Sequence, residues 1–166
     1  EAAGLDKDKD VKRERLSVAE SVNAVKDRKI DAFFWVGGLP TAAVTDLANT
    51  PGTKIVMVDT NAEVAAMNKK YGNLYFDTTI PKATYSGMAK DNKVAAVANI
   101  LVVNANMPDD QAYKITKAIF DNKLDLVRTH QEYMNVNLEN QKAKASPVDF
   151  HPGALKYYKE KNIKVN

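Results

Sequence analysis

The feature that most constrains this chain is a local pattern that repeats. A short, almost wholly apolar run is followed by glycine or a capping residue, and then by a helical stripe. The clearest instance is Ile30–Val36, interrupted only by Asp31 and closed by Gly37-Gly38. A run this short and this apolar predicts a strand covered on both faces in a parallel sheet, where helices shield each side from water. Pro40 suits the first helical position, and Ala42, Ala43, Leu47 and Ala48 supply the stripe that Pro51-Gly52 ends.

The same step occurs on either side of it. Val11–Leu16 alternates as a short edge strand does, with Arg13 and Arg15 on one side. Ser17-Val-Ala-Glu20 then fits a capping box, serine and glutamate reciprocally satisfying free backbone N–H groups, and Val18, Val22 and Val25 recur at helical spacing. Downstream, Lys54–Asp59 predicts a strand, and Thr60-Asn-Ala-Glu63 a second capping box opening a helix that stops near Gly72. Such steps imply right-handed βαβ units, so the fold class is α/β, a parallel-rich sheet with helices on both faces. Beyond Gly72 the rhythm changes. Leu74–Ile80 predicts a short strand, Pro81–Asp91 a loop and Val94–Asn104 a longer strand. Pro108, Asp109 and Asp110 make an acidic first turn, suited to the positive end of a helix whose apolar face is Ala112, Ile115 and Ile119. Leu124–Lys144 is polar and weakly helical, divided around Asn135, and a two-proline loop from Ser146 to Ala154 feeds a last short helix through Lys159.

Composition narrows the chemistry. With 166 residues and a formal charge of +3, the chain has neither the bias of disorder nor that of a nucleic-acid binder. The basic stretch Lys7–Arg15 is interleaved with Asp8, Asp10 and Glu14, which blunts its field, so no nucleic acid partner is expected. The absence of cysteine excludes disulfides, thiolate metal sites and a cysteine nucleophile. No apolar run approaches the ~20 residues of a membrane-spanning helix. Glu1-Ala-Ala-Gly4 has no initiator Met and none of the marks of a signal peptide, which suggests that something upstream has been removed; Glu1–Leu5 reads as a helix end with Gly4 at its cap.

Gly37-Gly38-Leu39-Pro40 is the best candidate site, because α/β proteins bind ligands where strands hand over to helices. Open first-turn N–H groups favour an anion, and glycine lets a ligand approach the backbone; equally, the glycines could simply make the turn. Neither a P-loop nor GxGxxG is present. Trp35, the one tryptophan, sits beside this turn as core or as cleft wall, and Tyr85 in Thr84-Tyr85-Ser86-Gly87 could reach a cleft or cover a core edge. His130 and His151 lack metal-ligand spacing, Asp149 could orient His151, and no serine has a GxSxG context. No catalytic residue, metal or cofactor is therefore expected.

Four segments carry a resemblance: DAFFWVGGLPTAAVTDLA, YGNLYFDTTIPKATYSG, LVVNANMPDDQAYKITKAIF and ASPVDFHPGALKYYKEKNIKV. Across its length the chain resembles the TAXI family of solute receptors, extracytoplasmic binding subunits of tripartite ATP-independent periplasmic (TRAP) transporters. The resemblance implies a type II periplasmic-binding-protein-like fold of two α/β lobes closing on a small anionic solute, glutamate or a similar carboxylate. It also implies that this chain is the C-terminal half of such a receptor, a partial fold lacking the N-terminal lobe. Residues 1–80 would then be most of the second lobe, 81–105 the crossing or hinge region, and 106–166 a helical return segment. The resemblance implies that Trp35, Val36, Gly37, Gly38, Leu39, Pro40, Thr41, Thr84 and Tyr85 face the ligand, and that His151-Pro152-Gly153 packs near the last helix. The expected partners are the solute, the membrane components of a TRAP transporter and, for a truncated half, further copies of itself; the expected location is the periplasm. The rival reading is an α/β enzyme domain holding a phosphate-bearing ligand at Gly37-Gly38; a third is a scaffold or antigen-like fragment without ligand.

Overall fold

The computed structural model describes residues 1–142 and 146–165. The chain divides into two compact units, one formed by residues 1–70 with 76–96, the other by 71–75 with 97–166.

In the first unit, α1 (Val18–Lys26) starts as its sequence predicts. Ser17 Oγ accepts from the Glu20 N–H at 3.3 Å, and the Ser17 N–H donates back to the Glu20 carboxylate at 2.7 Å. The hydrogen bonding to Ser17 holds the Glu20 carboxyl below the usual carboxylate range, with the Ser17 N–H contributing most. The apolar face of α1 packs on α2 (Ala42–Ala48), burying Val22, Val44 and Leu47, and Lys26 pairs with Asp46 at 2.6 Å on the rim. α3 (Val64–Tyr71) ends before Gly72, whose φ of +90° only glycine adopts without strain.

The sheet differs from the expected parallel-rich one. Among the described residues it has two strands, β1 (Tyr75–Ile80) and β2 (Asn92–Val97). Residues 11–16, 32–36, 54–58 and 99–103 belong to no ladder, and Phe34, Val36, Val56, Val58, Leu101 and Val102 are exposed. One reason is visible beside β2. The Thr60 N–H reaches the Lys93 carbonyl at 2.9 Å, as a third strand would, but the next donors go to side chains. Asp59 Oδ1 accepts from the Lys93 N–H at 3.0 Å and Thr60 Oγ1 from the Ala95 N–H at 3.1 Å. Side-chain oxygens thus occupy the places that strand carbonyls would take, and the ladder stops. This also corrects the second capping box, since Thr60 makes no side-chain bond to the helix turn that follows it. The remainder of the expected Val94–Asn104 strand, beyond Val97, belongs to no ladder. Glu1–Gly4 is a single turn, closed by the Gly4 N–H on the Glu1 carbonyl, rather than a helix end.

In the second unit, α4 (Asp109–Asp121) packs against α6 (Pro152–Glu160). Gly153 makes the approach possible: a Cβ there would lie 2.2 Å from the Asp109 carbonyl oxygen and 2.8 Å from the Tyr113 nitrogen. Around this contact Phe120, Phe150, Tyr113, Tyr157 and Tyr158 form an aromatic cluster with ring centroids 5.6 to 6.2 Å apart. Burial pushes the Tyr158 phenol above its ordinary value. Ala112 is buried on the α4 face, whereas Ile115 is exposed, because the α6 aromatics meet α4 along the line of Ala112, Tyr113 and Phe120. α5 (Lys123–Thr129) is followed by 3-10 turns at Gln131–Asn135 and Glu139–Lys142, so the division around Asn135 is as the sequence predicts. The predicted end of this stretch at Lys144 lies outside the described residues.

Candidate functional site

The turn between residues 35 and 41 is held by a connected chain of hydrogen bonds. Thr41 is the N-cap of α2, and Pro40, joined to Leu39 by a cis peptide bond, precedes the helix instead of opening it. The Thr41 side chain makes no bond to its own helix. Its hydroxyl donates to the Gly38 carbonyl at 2.9 Å and accepts from the Trp35 indole N–H at 2.9 Å. The Thr41 N–H donates to the Tyr85 hydroxyl, also at 2.9 Å. Tyr85 is only 3% exposed, carried on a loop in which the Thr84 N–H closes onto the Pro81 carbonyl at 2.9 Å.

Two segments 44 positions apart in sequence are therefore brought together, and Trp35, Gly38, Thr41 and Tyr85 form one connected group. Gly37 belongs to it by space: an added Cβ would fall 2.6 Å from the indole nitrogen. The room that its missing side chain leaves is filled by Trp35. Trp35 itself remains 47% exposed, and Val36 is 74% exposed. Two donors that could have faced an anion, the Thr41 N–H and the indole N–H, have partners within the protein.

The histidines have the same local task. His130 Nδ1 accepts from the Glu132 N–H and His151 Nδ1 from the Gly153 N–H, each at 3.1 Å, so each caps the helical turn after it. Asp149 is not the partner of His151; the nearest carboxylate is that of Asp109, 3.9 Å from Nδ1. Sequence reading missed both caps. The signal was available at His151, which directly precedes a Pro-Gly helix start. No group of three or more His, Asp or Glu suited to a metal occurs among the described residues. A shallow groove of about 440 Å³ between residues 12–16 and α1, edged by Lys12, Glu14, Glu20 and Lys29, shares no residue with the turn. No helix among the described residues is long and apolar enough to cross a membrane.

A family model described as the NMT1-like family matches residues 1–161. The chain belongs to the NMT1-like family. This is a family of periplasmic solute-binding proteins, typically extracytoplasmic, and membership points to a periplasmic-binding-protein fold. The mixed helix and strand of the NMT1-like chain agree with that class, although its described sheet is smaller than expected.

Proposed function

We propose that the chain is the C-terminal half of a TAXI-type extracytoplasmic receptor that captures a small anionic solute, glutamate or a similar carboxylate, for a TRAP-type secondary transporter. In this reading Trp35, Val36, Gly37, Gly38, Leu39, Pro40, Thr41, Thr84 and Tyr85 contribute one wall of the solute site. Residues 1–80 belong to the second lobe, 81–105 to the crossing region and 106–166 to the return segment.

The observation that carries the reading is the hydrogen bond between Tyr85 and the N-cap of α2, which joins both sequence-predicted segments in one group within a solute-binding family. Capture of a solute requires fixed polar groups and an apolar wall, and no nucleophile or metal. A chain of neutral groups around a half-exposed indole has that character. An enzyme domain holding a phosphate-bearing ligand at Gly37-Gly38 would instead need a titratable group beside that turn to do chemistry, whereas the side chains bonded into it include the neutral Trp35, Thr41 and Tyr85.

Titration calorimetry on the receptor expressed from its whole gene tests the proposal, with L-glutamate, small mono- and dicarboxylates, their uncharged amides and a sugar phosphate as probes. Micromolar binding, about 8 kcal/mol, of a carboxylate but not of its amide is the expected result. Preference for the sugar phosphate would favour the enzyme-like reading, and indifference to charge would overturn the anionic solute.

A further inference from the structure

We infer that Thr41 and Tyr85 are positioning residues for Trp35, and that the solute group seated on the indole is a hydrocarbon or cationic face rather than a hydrogen-bond acceptor. The second half rests on the receptor reading above; the first does not.

The indole has one hydrogen-bonding group, and it is committed: Nε1–H donates to Thr41 Oγ1. Thr41 cannot rotate freely to release it, since the same hydroxyl donates to the Gly38 carbonyl and the residue's own N–H is held by the buried Tyr85 phenol. Gly37, lacking a Cβ, lets the ring lie against the backbone. The indole is therefore braced at its polar edge while about half of the residue faces solvent. What remains to offer a ligand is the aromatic face and the carbon edge, which favour apolar or cationic groups. A side chain this large, half exposed yet bonded at its one polar atom, presents a fixed platform.

Trp35 is the only tryptophan, so emission excited at wavelengths beyond the absorption of the tyrosines reports it alone. In Thr41→Val the ratio of braced to released indole should fall about fivefold, the worth of one neutral hydrogen bond, read as a red-shifted emission, lower anisotropy and easier acrylamide quenching. Thr41→Ser should restore the parent signal, and Tyr85→Phe should move it in the direction of Thr41→Val. Far-ultraviolet circular dichroism monitors folding of each variant. A Thr41→Val chain that keeps its fold and the parent emission, anisotropy and quenching would overturn the positioning role, as would a Thr41→Ser chain no better than Thr41→Val. The solute half is decided by calorimetry on the whole-gene receptor with the carboxylate that binds best. Trp35→Phe should retain most of the affinity and Trp35→Ala should lose about tenfold, the contribution of one aromatic contact. If Trp35→Phe loses as much as Trp35→Ala, the indole N–H serves the solute and this half is overturned. If no carboxylate binds at all, the receptor reading and the solute half fall together, and fluorescence alone still decides whether Trp35 is positioned.

Discussion

Gly37 is glycine because of the residue two places before it. In the sequence it reads as a turn former or as a gap for a ligand; in the structure the gap is filled by the indole of Trp35. Gly37→Ala should therefore displace the ring, costing about 1 kcal/mol in urea denaturation through the lost aromatic packing and hydrogen bond, with a red shift of the Trp35 emission. An unshifted emission would show that the ring does not lie there. Asp59 is a second residue whose role comes from distant partners. Lys90 foremost, then the Lys93 N–H, hold its carboxyl below the usual carboxylate range. Because the folded value lies below the unfolded one of about 3.9, the stabilisation is complete above that pH and is lost as the pH falls through the folded value. Asp59→Asn should flatten the acid limb of a plot of urea midpoint against pH; an acid limb identical to the parent's would remove Asp59 from the account. Neither role could be read locally. The partners of Asp59 lie more than thirty positions away, and sequence periodicity has no means of locating them.

At the level of elements, helix starts were legible where the capping signal had no competitor. Ser17 and Glu20 face each other across one turn, and Ser17→Ala should cost about 1 kcal/mol by urea denaturation. Thr60 and Glu63 carry the same signal, but the Ala95 N–H captures the threonine oxygen and a tertiary bond displaces the local one. The strands suffered more. Most of the apolar runs expected as strands join no ladder, because a strand exists only through a partner, and beside β2 the side chains of Asp59 and Thr60 take the donors a third strand would have used. Gly153 shows the opposite case, a residue implied to pack near the last helix and found at its closest contact. Gly153→Ala should lower stability by about 3 kcal/mol or more, since the added methyl meets backbone of α4 and a helix cannot bend away at one atom. Gly87→Ala, at a positive φ but in open space, should cost only about 1 kcal/mol and serves as the comparison in the same urea series.

For the whole molecule, the α/β class and the solute-binding family were within reach of the sequence, and the extent of the sheet was not. The candidate turn was legible as a place, because a glycine pair between an apolar run and a helix stripe is a local pattern. Its wiring was not, because Tyr85 reaches it from a loop whose sequence has no periodicity. The exposed Phe34, Val36, Val56, Val58, Leu101 and Val102 lead to a prediction at this scale: a chain with so many large apolar side chains in water should self-associate as its concentration rises. Light scattering over a dilution series would detect it, and a monomer at every concentration would refute it. The close contact of α4 with α6 has a mechanical consequence. The two helices approach closely at Gly153, and the rings of Tyr113, Phe120, Tyr157 and Tyr158 interlock beside that contact. Such a pair resists relative displacement, so α4 and α6 should exchange their amide hydrogens as one protected block.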